Sequence, residues 1–426
     1  MNAQDIVDYT KSLDCVHCGL CLRTCPTYRD TGRESASPRG RIHMMRSVAE
    51  GAAEVDQHLI EELDGCLVCR NCESVCPSGV EYNELIAHTR SALADSPHRS
   101  LLSRESMRFG LRSVLTSRSM IDLFALMLRL GQRFGMLSLA GTLGKGAENL
   151  PDVPPAAERQ RLAPVHPAQG KLEGEVAILE GCVMPVFFSH VNRATVEVLQ
   201  AAGRQVHVPK GATCCGALQA HNGELETARQ LAKQMIVSME GPRDQTGDLL
   251  PVVVNSAGCA AQMKEYGSLL AEDPEFAERA EQFAARVKDF SEYLADEAGT
   301  RVAEALATDP PQIQSPLTFD DPCHLCHGQG VRSQPRELLD SVHVQRVEID
   351  ESESCCGSAG LFATLRPADS QRILDPRLGA LRASGARTLV TANPGCQLQW
   401  QAGVKRDGLD VEVLHIAEVL QRSLKS

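Results

Sequence analysis

The sequence predicts a multidomain chain of α and α/β class: an all-α unit at the start, then a duplicated α/β unit with parallel sheets. Three observations predict it. A cysteine block occurs twice near the start, as Cys15, Cys18, Cys21 and Cys25 followed by Pro26, and again as Cys66, Cys69, Cys72 and Cys76 followed by Pro77. The stretch between the blocks has helical signals rather than those of a hairpin. From about residue 171 strand and helix patterns alternate, and Cys182 to Cys214 spans 32 positions, as does Cys323 to Cys355. Equal spacing over unlike residues marks a duplicated unit. The expected segments are 1–98, 99–170 (a helical connector and proline-rich linker), 171–300 and 301–426.

The C-x2-C-x2-C-x3-C-P spacing is that of bacterial two-cluster ferredoxins, in which three thiolates grip one cubane and the fourth reaches the other. Cys15, Cys18, Cys21 and Cys76 are therefore expected to hold one 4Fe-4S cluster, and Cys66, Cys69, Cys72 and Cys25 a second. Zinc and disulfides are the alternatives. Zinc sites space two ligand pairs widely, whereas each block supplies four thiols within eleven residues, which favours clusters.

Within 1–98, Ser37 is an N-cap with Pro38 at the first helical position, and apolar residues recur at helical spacing until Gly51. Asp56 to Leu63 reads as a second short helix leading to Cys66. Arg23, Arg29, Arg33, Arg39 and Arg41 read as a solvated face. Ser103 to Ala140 reads as one or two amphipathic helices, with core packing favoured over a membrane surface. Pro151, Pro154 and Pro155, with Pro164 and Pro167, mark a linker.

The first copy reads as strand (Val176–Leu179), Cys182, helix (Ser189–Ala202), strand (Gln205–Val208), Cys214-Cys215-Gly216, helix (Glu224–Met239), strand (Pro251–Asn255) and Cys259. The second reads as strand (Leu317–Phe319), Cys323, helix (Arg336–Ser341), strand (Val344–Ile349), Cys355-Cys356-Gly357, helix (Ala368–Ala383), strand (Arg387–Ala392) and Cys396. Each ends on a matching strand-to-helix segment, Val287–Leu294 and Val413–Leu420. The cysteines fall after strands, at the carboxyl edge where open α/β sheets build sites, and pairing the copies would bring both edges to one crevice. At Cys182, Cys214, Cys215 and Cys259, and at Cys323, Cys355, Cys356 and Cys396, three readings stay open: a further iron-sulfur cluster, zinc, or no metal. The second copy is favoured because His324 and Cys326 stand beside Cys323. His17, His324, His327 and His415 read as hydrogen-bonding or surface residues rather than ligands.

The formal net charge is −12, which argues against nucleic acid as a partner. No stretch reaches the roughly 18 to 20 uninterrupted apolar residues of a membrane span. Seventeen cysteines in a chain that opens without an apolar signal core fit a reducing cytoplasm. No G-x-G-x-x-G turn is present, so no flavin dinucleotide site is expected.

The blocks "CVHCGLCLRTCPTY", "SPRGRIHMMR", "CLVCRNCESVCPSGVEY" and "DPCHLCHGQGVR" resemble those of the iron-sulfur subunit of bacterial glycolate oxidase (glycolate dehydrogenase). The chain is more distantly similar to the iron-sulfur subunit of anaerobic glycerol-3-phosphate dehydrogenase and to cysteine-rich subunits of heterodisulfide reductase. The resemblance implies a non-flavin subunit of an oxidoreductase complex acting on the CH-OH group of a 2-hydroxy acid. Flavin-containing dehydrogenase subunits would oxidise glycolate or D-lactate, and this chain would pass the electrons to a membrane quinone-type acceptor. Its place would be cytoplasmic, peripheral at the inner face of the membrane, with the eight ferredoxin-type cysteines as ligands and no catalytic residue. The alternatives are the same role beside a glycerol-3-phosphate or D-lactate dehydrogenase, or a heterodisulfide or quinone reductase working at the Cys-Cys-Gly motifs. In heterodisulfide reductase relatives the cysteine-rich unit ends C-x-x-C; here Gln262 and Gln399 stand at the last position.

Overall fold

The computed structural model describes residues 6–134, 153–159, 161–307 and 313–425. Helix α1 (Pro38–Ala49) starts where Ser37 accepts a hydrogen bond from the Gly40 amide, and α2 (Gln57–Asp64) where Asp56 accepts from Leu59. With α3 (Tyr82–Ala92) they enclose Ile42, Met45, Leu59, Leu63, Leu85 and Ile86. This is the expected all-α unit. The connector follows as α4 (Leu101–Phe109), a π turn over Gly110–Val114, and α5 (Arg118–Arg133). Residues 135–140 of the expected connector helix, with Pro151, lie outside the described residues.

In the first copy the strands are β1 (Val165–His166), β2 (Gly174–Ile178), β3 (Arg204–His207), β4 (Val252–Val254) and β5 (Val287–Asp289), in the order β1-β3-β2-β4-β5. All pairs are parallel except β1 with β3. Its helices are α6 (Ser189–Ala201), α7 (Leu225–Met239), α8 (Ala257–Lys264), α9 (Ala277–Arg286) and α10 (Phe290–Ala305). The second copy has β6 (Leu317–Phe319), β7 (Thr388–Thr391) and β8 (Glu412–His415), parallel in that order, with α11 (Gln334–Asp340), α12 (Pro367–Ser384), α13 (Pro394–Arg406) and α14 (Ile416–Arg422).

The strand expected over Val344–Ile349 is reduced to one parallel bridge, Leu317 to Arg346, with Leu317 N–H donating to Gln345 O at 2.9 Å and Val347 N–H to Leu317 O at 2.8 Å. Its counterpart β3 gains an outer partner, β1, and this edge has none among the described residues. Charged Arg346 and Glu348 occupy it instead, pairing with each other and with Asp340 and Arg336, as befits an edge that must resist further pairing.

The copies share one core. Val176, Val191, Leu199, Phe290 and Leu294 of the first belong to the same packed group as Leu317, Phe319, Leu339, Leu414 and Leu420 of the second. Helix α6 packs on α14 and α10 on α11, two contacts exchanged by the duplication. The carboxyl edges meet near equivalent positions: Ser256 Oγ donates to Asn393 Oδ1, its counterpart in the second copy, at 3.4 Å, and beside them Ala257 N–H donates to Ala392 O at 3.2 Å. Contact between equivalent positions is what a two-fold relation requires.

The helix after each last strand opens with a capping box, closed in the first copy by Asp289 and Glu292 and in the second by His415 and Glu418. The Ala417 amide donates to His415 Nδ1 at 3.2 Å, so this histidine is a helix cap that must stay neutral. Burial holds it at about 4. Because the unfolded chain titrates near 6.5, the stabilisation is complete above that pH and is lost as pH falls from 6.5 toward 4, up to ~3 kcal/mol. His415→Asn keeps a capping acceptor without the proton site, and should flatten the fall in stability between pH 6.5 and 4 by about one proton, measured as urea midpoints against pH.

Candidate metal centres

The two ferredoxin runs place left-handed residues at the same two positions. His17 and Gly19 in the first, and Val68 and Arg70 in the second, all have positive φ, at 53°, 85°, 53° and 63°. Left-handed residues between right-handed ones turn successive N–H groups inward, the geometry of an anion-binding concavity. A β-branched residue such as Val68 reaches this region only when its surroundings impose it. At Gly19 a Cβ would also lie 2.6 Å from Arg39 Nη1, the group that donates to His17 O at 2.9 Å.

Cys25, Cys66, Cys69 and Cys72 line one small cavity together with Arg41, Tyr82 and Thr27. Arg41 corrects the expectation of a solvated arginine face. It is 1% exposed, donates to Glu62 O at 2.6 Å and to Thr27 Oγ1 at 3.2 Å, and makes no ion pair with a carboxylate among the described residues. Arg29 and Arg39 pair with Glu351 and Glu34. A buried guanidinium needs a counter-charge, and anionic sulfur held in this cavity would supply it. The buried Tyr82 hydroxyl has no hydrogen-bond partner, leaving a donor for the same sulfur. These features fit a cluster. Burial pushes the Cys25 and Cys72 thiols up, so ligation through them would release protons.

The other set is nearer solvent. Cys18 is exposed, Cys15, Cys21 and Cys76 are half-buried, and Leu13, Val16 and Leu20 around them are 48%, 66% and 45% exposed.

In the first cysteine-rich copy, Cys182 lies beside Cys214 and Cys215 beside Cys259. In the second, Cys356 Sγ lies 3.1 Å from Cys396 Sγ, and Cys355 meets Cys323 and Cys356. A fifth thiol joins this second group. Cys69 packs with Cys355, Leu67, Phe362 and Ile373, and the hydrogen bond from Cys355 draws the Cys69 thiol down. Cys326 does not join them: its Sγ faces Asp321 O and Cys323 O, both at 3.9 Å. His324 lies against His221, ring centroids 5.1 Å apart. Among the described residues no three His, Cys, Asp or Glu side chains form a group that could hold a single metal ion; donor chemistry and enclosure are what favour clusters in the ferredoxin unit.

A family profile for the 4Fe-4S dicluster domain matches residues 11–80, and one for the cysteine-rich domain matches 176–264 and 317–401. The chain is 37% identical over 428 residues to the probable glycolate oxidase iron-sulfur subunit of Bacillus subtilis (strain 168), covering 97% of this chain and 94% of that protein. The chain belongs to the glycolate oxidase iron-sulfur subunit family. The Escherichia coli (strain K12) glycolate oxidase iron-sulfur subunit is 32% identical over 411 residues, covering 96% and 94% of the two chains. Lactate utilization protein A 2 of Bacillus mycoides (strain KBAB4) is 31% identical over 247 residues, 58% of this chain and 98% of that one. A solved structure of a hypothetical protein from Helicobacter pylori superposes with a TM-score of 0.58 at 8% identity, covering 98% of this chain and 75% of that one, a likeness of fold alone. Membership of the glycolate oxidase iron-sulfur subunit family indicates iron-sulfur clusters in this chain.

The loop carrying Cys355 and Cys356 is tied to the sheet by Arg377, 3% exposed, which donates to Asp320 Oδ1 at 2.6 Å, to Ser352 O at 3.1 Å and to Glu351 O. Arg377→Met leaves a buried carboxyl without its partner and should cost about 3–5 kcal/mol, with the Asp320→Asn double variant recovering part of it, read from denaturant midpoints.

Proposed function

We propose that this chain is the iron-sulfur electron-transfer subunit of a glycolate oxidase complex. A flavin-containing partner oxidises glycolate, or D-lactate, to glyoxylate or pyruvate, and this chain conveys the electrons to a quinone-type acceptor at the cytoplasmic face of the membrane. Cys15, Cys18, Cys21 and Cys76 hold one 4Fe-4S cluster, and Cys66, Cys69, Cys72 and Cys25 the other. When bound, such clusters carry single electrons, so that a two-electron oxidation is unloaded in steps.

The observation that carries this reading is the position of Cys69. It belongs at once to the cavity lined by the second ferredoxin set and to the packed group around Cys355, so the two thiol sets adjoin without intervening polypeptide. At the opposite end, exposed Cys18 within its apolar collar suits docking of the flavin partner. Between these ends the chain's own residues set the electrostatics. Arg41 compensates negative charge in the cavity, the left-handed loops direct amides to sulfur, and the Tyr82 hydroxyl donates to it. A second reading, acceptor reduction at the Cys-Cys-Gly thiols themselves, draws on the close approach of Cys356 to Cys396.

Anaerobically purified protein should contain about eight irons per chain from the two ferredoxin-type sets, with further iron in proportion to any cluster at Cys323, Cys355, Cys356 and Cys396. Cys18→Ser and Cys69→Ser should each lower iron content and soluble yield; unchanged visible absorption in both would refute the ligand assignment. Loss of acceptor reduction in Cys356→Ala, with the ferredoxin-type signals intact, would favour the second reading. Tyr82→Phe should leave iron content unchanged and move the potential of one centre more negative in an EPR-monitored redox titration, because it removes a hydrogen bond to sulfur.

A further inference from the structure

Helix α5 is apolar on two opposite faces. One face is buried: Ile121, Ala125 and Leu128 pack with Val153 of the linker and Val186 of the first cysteine-rich copy, close to Cys182. At about 100° per residue, Leu123, Met127, Leu130 and Phe134 fall on the other face, and Phe124 and Leu126 flank them. These six are 41% to 69% exposed. Single exposed apolar side chains are ordinary on a protein surface, but a continuous helical stripe of six marks an interaction surface.

Charge selects the occupant. Between stripe and buried face, one side of the helix carries Arg118, Asp122, Arg129 and Arg133. Arg118 pairs with Asp122, Arg129 donates to Val153 O at 3.3 Å, and neither Arg129 nor Arg133 has a carboxylate partner among the described residues. Of the seven arginines in residues 99–134, Arg99, Arg104, Arg108 and Arg112 pair with Asp64, Asp95 and Glu224 of neighbouring segments, which leaves Arg129 and Arg133 as the charges available to a partner of this face, in a chain whose net charge is −12. An apolar stripe bordered by two arginines without carboxylate partners, on an otherwise acidic protein, is the pattern of a helix lying in the plane of an anionic membrane surface. An antiparallel second copy of the same face would bring the arginine rows to one side, against their charge.

We infer that α5 is a membrane-docking helix, seating the exposed stripe among the acyl chains of an anionic bilayer and the arginines at its phosphates. This deepens the proposed delivery of electrons to a membrane acceptor and rests on that reading for its purpose, though not for its test. No helix among the described residues is long and apolar enough to cross a membrane. The opposite face of α5 borders a cavity lined by Arg118, Ile121, Leu162, Cys182 and Lys210, so docking would hold the first cysteine-rich copy close to the bilayer.

The full chain, loaded with iron and sulfide, should co-sediment with vesicles containing phosphatidylglycerol, less so as salt is raised, and little with pure phosphatidylcholine vesicles. Met127→Glu with Leu130→Glu should weaken partition at least about tenfold, and Arg129→Gln with Arg133→Gln about fivefold per charge, with iron content unchanged in both. Absence of wild-type binding, equal binding to neutral vesicles, or binding unaffected by either pair would overturn the inference. So would a glutamate variant that keeps vesicle binding but loses self-association or flavin-subunit binding. Reduction of the chain by its flavin partner in vesicle-free solution tests the electron-transfer reading separately: failure there sinks that reading and leaves vesicle binding as measured.

Discussion

Anionic sulfur inside a protein must be kept from water and compensated at the same time, and much of this structure follows from that demand. An isolated buried charge is expensive, and a group of thiolates more so. The ferredoxin unit meets the demand locally, with left-handed residues at positions 17, 19, 68 and 70 and with Arg41 buried beside Cys25 and Cys66. Helix α1, which carries Arg41, is therefore more than a spacer between the cysteine runs; its capped start at Ser37 sets where the guanidinium enters the cavity.

The same demand ties the unit to the rest of the chain. Arg90, on α3, donates to Leu63 O, to Cys66 O at 2.7 Å and to His221 O of the first copy at 2.6 Å. Arg70 pairs with Glu73 and with Glu265, and Arg372 of the second copy reaches back to Asp30. A Cβ on Gly223 would lie 2.6 Å from the Arg90 carbonyl carbon, so glycine is needed where the first copy approaches α3. The loop from Cys66 to Cys72 is held by the first copy through Arg70 and Glu265 and by the second through the packing of Leu67 and Cys69 on Cys355, Phe362 and Ile373, and its conformation depends on their docking.

The cysteine spacing, the helical spacer and the duplication were legible in the sequence because each depends on local chemistry: a cap, a period, or a repeated interval. Strands β2, β4, β6 and β7 stand within a residue or two of expectation. The strand at Val344–Ile349 failed because its alternating pattern suits a strand, whereas pairing depends on a neighbour that only the first copy supplies. The burial of Arg41 was missed for a related reason. An arginine inside "SPRGRIHMMR" has the same composition whether it faces water or sulfur, and only the approach of two segments some forty residues apart decides. His415 gave a faint signal, since Glu418 three positions on completes a capping box, but histidine is an uncommon cap and the buried environment that keeps it neutral is tertiary.

Duplication gives two α/β units with the same edge chemistry, and the surroundings make them different. The thiols of the first copy are covered by the connector: Cys182 packs near Ile121 and Leu128 of α5, and Gln219, 3.7 Å from Cys214 Sγ, donates to Leu111 O at 2.8 Å. Those of the second copy are covered by the ferredoxin run itself, through Leu67 and Cys69. One fold therefore presents one thiol set to another redox-capable set and the other thiol set to a helix with an exposed apolar face. Two identical edges could not be told apart by any partner. Asymmetry of cover is what allows them separate roles, and it comes from segments outside the repeat, so neither copy's role can be inferred from its own cysteines alone.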